Sequence, residues 1–416
     1  MKRIGVLDCN NFFVSCERLL RPDLQNKPVI VLSGNDGCVV ARSKEVKDMG
    51  IPMGVPYFQI KDTIKEIEAV VFSSNFALYK DISRRVFEVL RTEFPSLEQY
   101  SIDEAFFYID ENELSKIEMV KKKIERWVGI PVSVGVAGSK TQAKYVNTVA
   151  KRTGLVEVWN REKWSDEIDK IKLTDVWGVG KSLATSFKKQ NLIYVSDLLA
   201  LSLRDLHARF GVVAVRLRSE LTGVPVFLIN GQNREKKSIM SSNSLSYPTN
   251  ETSLLESEFS RHVHSVTQDL FINNLLAGKL KIALYPSRFS DFYSYGFALE
   301  SKFDTPTNDI FILTKEAISL FRRGFCEKVP YKRVVVTVSD LVNADFIPND
   351  LFVSTKKDSD KTSDVSKLLF TINEKHKTNL IRLVLQSDNK NTSLIRKKYL
   401  SPKYTTSWTD LKIVRT

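Results

Sequence analysis

Gln99-Tyr-Ser-Ile-Asp-Glu-Ala-Phe-Phe-Tyr-Ile-Asp110 is the stretch on which the fold turns. After Glu104 it is aromatic and β-branched, so it reads as a strand entered from a turn that carries Asp103 and Glu104. Ser101-x-x-Glu104 also has the spacing of a helix capping box. The Ala-Phe-Phe-Tyr-Ile run that follows speaks against a helix. Upstream, Ile4–Leu7 is a short apolar run that ends in Asp8, a buried strand by pattern. Asn10 and Asn11 can cap a helix over Phe12–Leu20. Downstream, Pro131–Ala137 reads as a strand, and Ser139-x-x-Gln142 as a capping box that opens a helix to about Arg152. Strands and helices mixed over residues 1–160 indicate an α+β or α/β domain.

If the first strand lies beside the hairpin, Asp8 converges with Asp103 and Glu104. Hard carboxylate oxygens suit Mg²⁺. Phosphoryl transfer commonly uses two such ions about 3.5–4 Å apart. The main-chain carbonyl of Cys9 could add a ligand. A helix cap at Asp8 and an ordinary surface carboxylate pair at Asp103-Glu104 are the plainer alternatives, and spacing alone leaves them open.

Elsewhere, Pro28–Leu32 reads as a strand, Arg42–Met49 as a helix, and Asp81–Phe94 as an amphipathic helix with Ile82, Val86, Val89 and Leu90 on one face. Residues 166–231 read as short helices punctuated by Gly178, Gly180 and Gly211, and 232–239 as a polar linker. Residues 240–340 follow a β-α-β-β-α-β order: Met240–Ser246, Ser253–Ala277, Lys279–Tyr285, Tyr293–Glu300, Leu313–Phe325 and Arg333–Ser339. Ser354–Ser366 is almost free of apolar residues and reads as a hinge.

The bulk properties agree with a large soluble chain that has an acidic partner. The 416 residues suggest two to four domains, and 43% apolar content is enough for a core in each. The net charge is +13, and residues 346–416 carry 14 Lys/Arg against 7 Asp/Glu, the most basic stretch for its length. Cys9, Cys16, Cys38 and Cys326 form no CxxC pair, which argues against a zinc ribbon or disulfide scaffold and fits a reducing cytoplasm. His262-x-His264 reads as a helix surface feature. No secretory h-region and no apolar run of membrane-spanning length occur, so no membrane partner is expected.

The full wording is more specific than the spacing. Asp8-Cys-Asn-Asn-Phe-Phe-Val-Ser-Cys-Glu17 with Tyr100-Ser-Ile-Asp-Glu-Ala105 resembles the two catalytic motifs of the Y-family translesion DNA polymerases. Asn35-Asp-Gly-Cys-Val-Val-Ala-Arg42, Ser74-Asn75 and Val134-Gly-Val-Ala137 fit the same family. The closing Leu400-Ser-Pro-Lys-Tyr-Thr-Thr406 is similar to the UmuC-type catalytic subunit of bacterial DNA polymerase V. The resemblance covers essentially the whole chain in order.

It implies a right-hand polymerase: a palm of 1–12 and 74–165, fingers of 13–73, a helical thumb of 166–231, a little finger of 240–345 and a basic regulatory tail of 346–416. It implies metal binding by Asp8, Cys9 (carbonyl), Asp103 and Glu104, with two Mg²⁺ ions. Phe13 matches the aromatic gate that rejects a 2′-hydroxyl, and Phe12 adjoins it at the nucleotide. Read by itself, an aromatic pair at a helix start is usually core. Lys144 and Lys47 match basic contacts to the triphosphate. Lys140 and Lys151 share the face of Lys144, and by itself such a face is normally just solvated. At Lys44 the sequence lacks the tyrosine that other branches carry. The reaction implied is low-fidelity, template-directed addition of dNTPs to a primer, in the response to DNA damage. The implied partners are primer-template DNA, a cleaved UmuD-type dimer, a RecA filament and a sliding clamp. A nucleotidyl cyclase on a similar palm and a DNA-binding protein without catalysis are the rival readings of the same carboxylates.

Gly180-Lys181-Ser182 ends like a phosphate-cradling P-loop, but Asp175 stands where that loop needs glycine. A helix-hairpin-helix fits better, with Gly178, Gly180 and Lys181 approaching a DNA phosphate. A plain packing corner is the alternative. A clamp-binding motif is expected after the little finger, and Pro348-Asn-Asp-Leu-Phe352 keeps only Leu351 and Phe352 of it.

Overall fold

The computed structural model describes residues 2–34, 36–231, 236–346, 357–376, 381–383, 397–405 and 407–410. The chain forms two compact units, one of residues 1–234 with 397–416, the other of residues 235–396. The first unit runs β1 (Lys2–Cys9), α1 (Phe12–Leu19), β2 (Val29–Leu32), β3 (Val39–Arg42), α2 (Lys44–Asp48), α3 (Tyr57–Glu66), β4 (Val70–Ser73), α4 (Phe76–Glu93), β5 (Leu97–Gln99) and β6 (Glu104–Asp110). It continues with α5 (Ser115–Trp127), β7 (Val132–Ala137), α6 (Lys140–Thr153), β8 (Glu157–Val158), α7 (Arg161–Glu167), α8 (Lys181–Lys188), α9 (Val195–Ala200) and α10 (Leu203–Leu221).

Five strands form a sheet in the order β5-β6-β1-β7-β8, with β1 antiparallel to both β6 and β7. Both faces of β1 are buried, which is why its sequence is an unbroken apolar run rather than an alternating one. Leu7, Phe107, Val134 and Val136 face α4 and α5. Ile4, Val6, Phe106 and Ala137 face α6 and the helices α7–α10. Side chains alternate along a strand, so Asp8 follows Ile4 and Val6 onto the α6 face, and Glu104 follows Phe106 there. That arithmetic delivers two carboxylates to one place.

Gly135 lets α6 lie directly on β7. A Cβ there would stand 2.2 Å from the Asn147 nitrogen. Ser139 caps α6 by accepting the Gln142 N–H at 3.2 Å, and Gly154 ends it in the left-handed conformation. A second, three-stranded sheet, β3-β2-β4, has its own core of Ile30, Leu32, Val39, Val46, Ile51 and Ile64. The expected helix over Arg42–Met49 is shorter. Arg42 closes β3, and the helix begins at Lys44.

The second unit runs β9 (Ser238–Thr249), α11 (Thr252–Ile272), β10 (Leu275–Pro286), β11 (Phe297–Thr307), α12 (Ile310–Gly324), β12 (Tyr331–Asn343) and α13 (Lys357–His376). The β-α-β-β-α-β order holds, in a sheet β11-β10-β12-β9 with α11 and α12 packed on it. Three expectations are corrected. Leu275–Ala277 belong to β10, because Asn274 at φ 53° turns the chain out of the helix first. The stretch read as a hinge enters α13 at Lys357, and Leu369 and Phe370 of that helix bury themselves in the second core. His262 and His264 are buried, not surface, because α11 lies on the sheet and Ser241 of β9 bonds His262 Nδ1 at 2.8 Å. The tail does not behave as one piece: α13 belongs to the second unit and residues 397–410 to the first. No helix among the described residues is long and apolar enough to cross a membrane.

Candidate active site

Asp8 and Glu104 stand directly opposite each other across β1 and β6. The turn is pinned beneath them by the Cys9 N–H, which donates to the Asp103 carbonyl at 2.9 Å. Asp8 is 5% exposed. Burial, then a hydrogen bond shared with Glu104, pushes its carboxyl up to about 7. Burial pushes Glu104 the same way, but the bonds from Asp8 and Lys144 outweigh it and hold Glu104 below its ordinary value.

Two cations answer the two acids. Lys144 Nζ lies 2.5 Å from Glu104, and Lys151 Nζ lies 2.7 Å from Asp8. They are seven residues apart on α6, two turns on one face. A cavity of about 170 Å³ opens here, lined by Asp8, Glu104, Lys144, Tyr145, Asn147, Thr148, Lys151, Asp175, Val176 and Trp177. The Lys144 ammonium also lies 5.5 Å from the centroid of the Tyr100 ring.

Asp103 does not join the pair. Its Oδ1 accepts the Ser101 hydroxyl at 2.6 Å, within the turn. Among the described residues no three carboxylates, thiols or imidazoles stand together as a ready metal cluster. The expected triad is present in sequence, and two of its members meet. Cys9 ends β1 beside them with its thiol buried and pushed well up by that burial.

Asn11 opens α1 in the left-handed conformation, φ 47°, without a side-chain cap. This phase sends Phe12 into the core at 3% exposure, where its ring seats the helix. Phe13 is half-buried and lies nearly parallel to Tyr79, centroids 4.4 Å apart, with Phe76 edge-on at 5.8 Å. Lys47 is exposed in the last turn of α2.

Gly178 has φ 95°, and the space before the Cβ positions of Gly178 and Gly180 is open. Gly180 caps α8, and Lys181 is exposed at its first position. A single 3₁₀ turn, Leu173–Asp175, takes the place of a first full helix. Leu351 and Phe352, the clamp-motif residues, lie outside the described residues. Lys151 was not among the expected nucleotide contacts, although its spacing of two full turns from Lys144 was visible in the sequence.

The fold is that of the Y-family DNA polymerases. A solved "Y-family DNA polymerase chimera Dbh-Dpo4(243-245)-Dbh" superposes with a TM-score of 0.69 at 19% identity, covering 82% of this chain and 100% of that one. The family model of the impB/mucB/samB family matches residues 7–148, and the model of that family's C-terminal domain matches 236–351. The chain belongs to the impB/mucB/samB family. A domain of unknown function matches 365–414. Protein ImpB of Salmonella typhimurium is 28% identical over 99% of both chains. Protein UmuC of Salmonella typhimurium strain LT2 is 28% identical over 99% of this chain and 100% of its own. DNA polymerase IV 1 of Bacillus subtilis strain 168 is 26% identical over 90% of this chain and 91% of its own.

Proposed function

We propose that this polymerase adds dNTPs to a primer 3′-hydroxyl by a two-metal reaction, tolerating damaged templates in an SOS-type response. The observation that carries this is buried Asp8 facing half-buried Glu104, the two answered by Lys151 and Lys144. Two carboxyl groups facing each other across adjacent strands present hard oxygen donors, and that donor set fits divalent magnesium. Asp8, Glu104, Asp103 and the carbonyl of Cys9 would hold two Mg²⁺ ions. Such ions, when bound, neutralise phosphate charge and ease loss of the 3′-hydroxyl proton.

The chain's own groups do the rest. Lys144 and Lys151 exchange their carboxylate partners for triphosphate oxygens and stay as fixed positive charge where negative charge develops. Lys47 adds a further cation. The Phe13 ring lies against the sugar and excludes a 2′-hydroxyl. Backbone N–H groups at Gly178 and Gly180, with Lys181, hold a DNA phosphate without reading sequence. Ser242 and Ser244 of β9, on the face away from α11, offer short donors of the same sequence-blind kind. By family, the reading extends to a cleaved UmuD-type dimer, a RecA filament and a sliding clamp as partners in the cytoplasm.

Primer extension tests it, on undamaged and abasic templates, with and without those partners. Wild type should extend with Mg²⁺, and Asp103→Ala should lose extension while keeping DNA affinity. DNA binding without extension by either protein, under every condition, would leave a structural DNA-binding role instead.

A further inference from the structure

Residues 398–402 return from the second unit and dock on the first. The Ser73 N–H donates to the Tyr399 carbonyl at 2.9 Å, and the Tyr399 N–H donates to Ser73 Oγ at 2.9 Å, so the segment pairs beside β4. Asn75, which caps α4, turns its Nδ2 to Ser401 Oγ at 3.0 Å and to the Ser401 and Pro402 carbonyls at 3.3 Å. The Ser401 hydroxyl then donates to Glu17 Oε1 at 3.1 Å, and the Tyr79 hydroxyl donates to the same oxygen at 2.7 Å. Ser401, Glu17 and Tyr79 are all buried. The ring of Tyr79 is the surface on which Phe13 lies, 4.4 Å away and 13° from parallel.

We propose that this C-terminal segment is a strap that positions the gate: Ser401, through Glu17 and Tyr79, fixes the height of the Phe13 ring and so sets how strictly the enzyme refuses ribonucleotides. The proposal rests on the polymerase reading above. Glu17 Oε1 joins the tail hydroxyl directly to the tyrosine hydroxyl, and among the described residues Glu17 Oε2 has no hydrogen-bond partner to hold the carboxylate otherwise. Without the Ser401 hydroxyl, Glu17 keeps a single anchor, and the Tyr79 ring gains freedom along the direction that opens the pocket. A gate works by sub-ångström clearance, so small slack there changes sugar choice before it changes deoxynucleotide chemistry. Ser401, Glu17 and Tyr79 are positioning residues: none touches the sugar itself.

The experiment measures single-nucleotide insertion of dATP and ATP by the full chain, in wild type, Ser401→Ala, Tyr79→Phe, the double variant, Ser401→Thr and Phe13→Ala. Ser401→Ala and Tyr79→Phe should each raise the ATP-to-dATP ratio of kcat/KM roughly three- to ten-fold, the scale of one lost positioning hydrogen bond. The double variant should go no further than either single one, because both cut one link. Ser401→Thr, which keeps a hydroxyl, should stay near wild type. Insertion of dATP should remain close to wild type in Ser401→Ala. If Ser401→Ala lowers the melting temperature but leaves the sugar ratio unmoved while Phe13→Ala breaks it, the strap is only structural and the proposal falls. If Ser401→Ala does not fold, Tyr79→Phe reads the same link from its other end, and an unmoved ratio there overturns the proposal. Wild type that fails to insert dATP at all would overturn the polymerase reading and the strap together.

Discussion

Lys151 and Lys144 are each drawn to one acid, Asp8 and Glu104, although only Lys144 is an expected triphosphate contact. A fixed cation aimed at developing phosphate charge is worth roughly 10²–10³ in rate when removed. Lys151→Ala should therefore lower kcat/KM for dNTP insertion by about 10²-fold at unchanged DNA affinity. Pre-steady-state insertion kinetics beside a DNA-binding titration would check it. An equal loss of DNA affinity would make Lys151 a DNA contact instead. The carboxylates were legible in the sequence as candidates, from the motif wording, while their meeting on one face needed the pairing register that sets Asp8 opposite Glu104. Which of Phe12 and Phe13 faces outward was not legible from periodicity. The phase of α1 is set by Asn11 in a left-handed conformation, and asparagine tolerates that state without announcing it. Glu17 ends a motif visible in the sequence, yet its partner Ser401 is 384 residues away, beyond any local pattern.

At the scale of elements, the reach of Lys144 and Lys151 to the two acids depends on how closely α6 can lie on β7. Gly135 permits that approach, and any Cβ would press into the helix backbone, which cannot swing aside as a side-chain tip can. Gly135→Ala should cost about 1–3 kcal/mol, the usual range for overpacking a close contact. It should also slow insertion, since α6 carries both lysines away from the acids. Thermal unfolding with insertion assays below the transition would check it, and an unchanged melting temperature would mean that the sheet yields. Element types were largely readable here: the β-α-β-β-α-β order and the hairpin at Asp103 stand as expected. Boundaries were not, for physical reasons. Leu275–Ala277 is apolar and suits helix or strand alike, and Asn274 decides between them. The polar run before Ser366 reads as unstructured, yet it enters a helix whose later residues, Leu369 and Phe370, find burial on another element. Tertiary packing overrides local propensity there.

For the molecule as a whole, the two units carry separate cores and opposite responses to acid. In the second, burial and then the Arg261 charge lower His262 to about 4 from 6.5. A base whose folded value is depressed contributes stability above its unfolded value and loses it as pH falls toward the folded one. Between pH 7 and 5 this removes about 2 kcal/mol from the second unit. In the first unit two carboxyl groups are raised: Asp8 to about 7, by burial and then the Glu104 bond, and Glu17, by burial. A raised acid contributes stability below its unfolded value and loses it as pH rises through the folded one, so acidification to pH 5 favours this unit. The lowered acids, such as Asp81 and Glu93, change only below about 4.5 and leave this window alone. Calorimetry with chelator present, at pH 7 and pH 5, should therefore show two transitions moving apart. The second unit's should fall by roughly 4–8 °C, by the usual conversion for a unit of this size. His262→Gln should remove most of that fall and leave the first unit's response unchanged. A single transition moving one way in both proteins would mean that the units melt together and that His262 does not govern the acid limb.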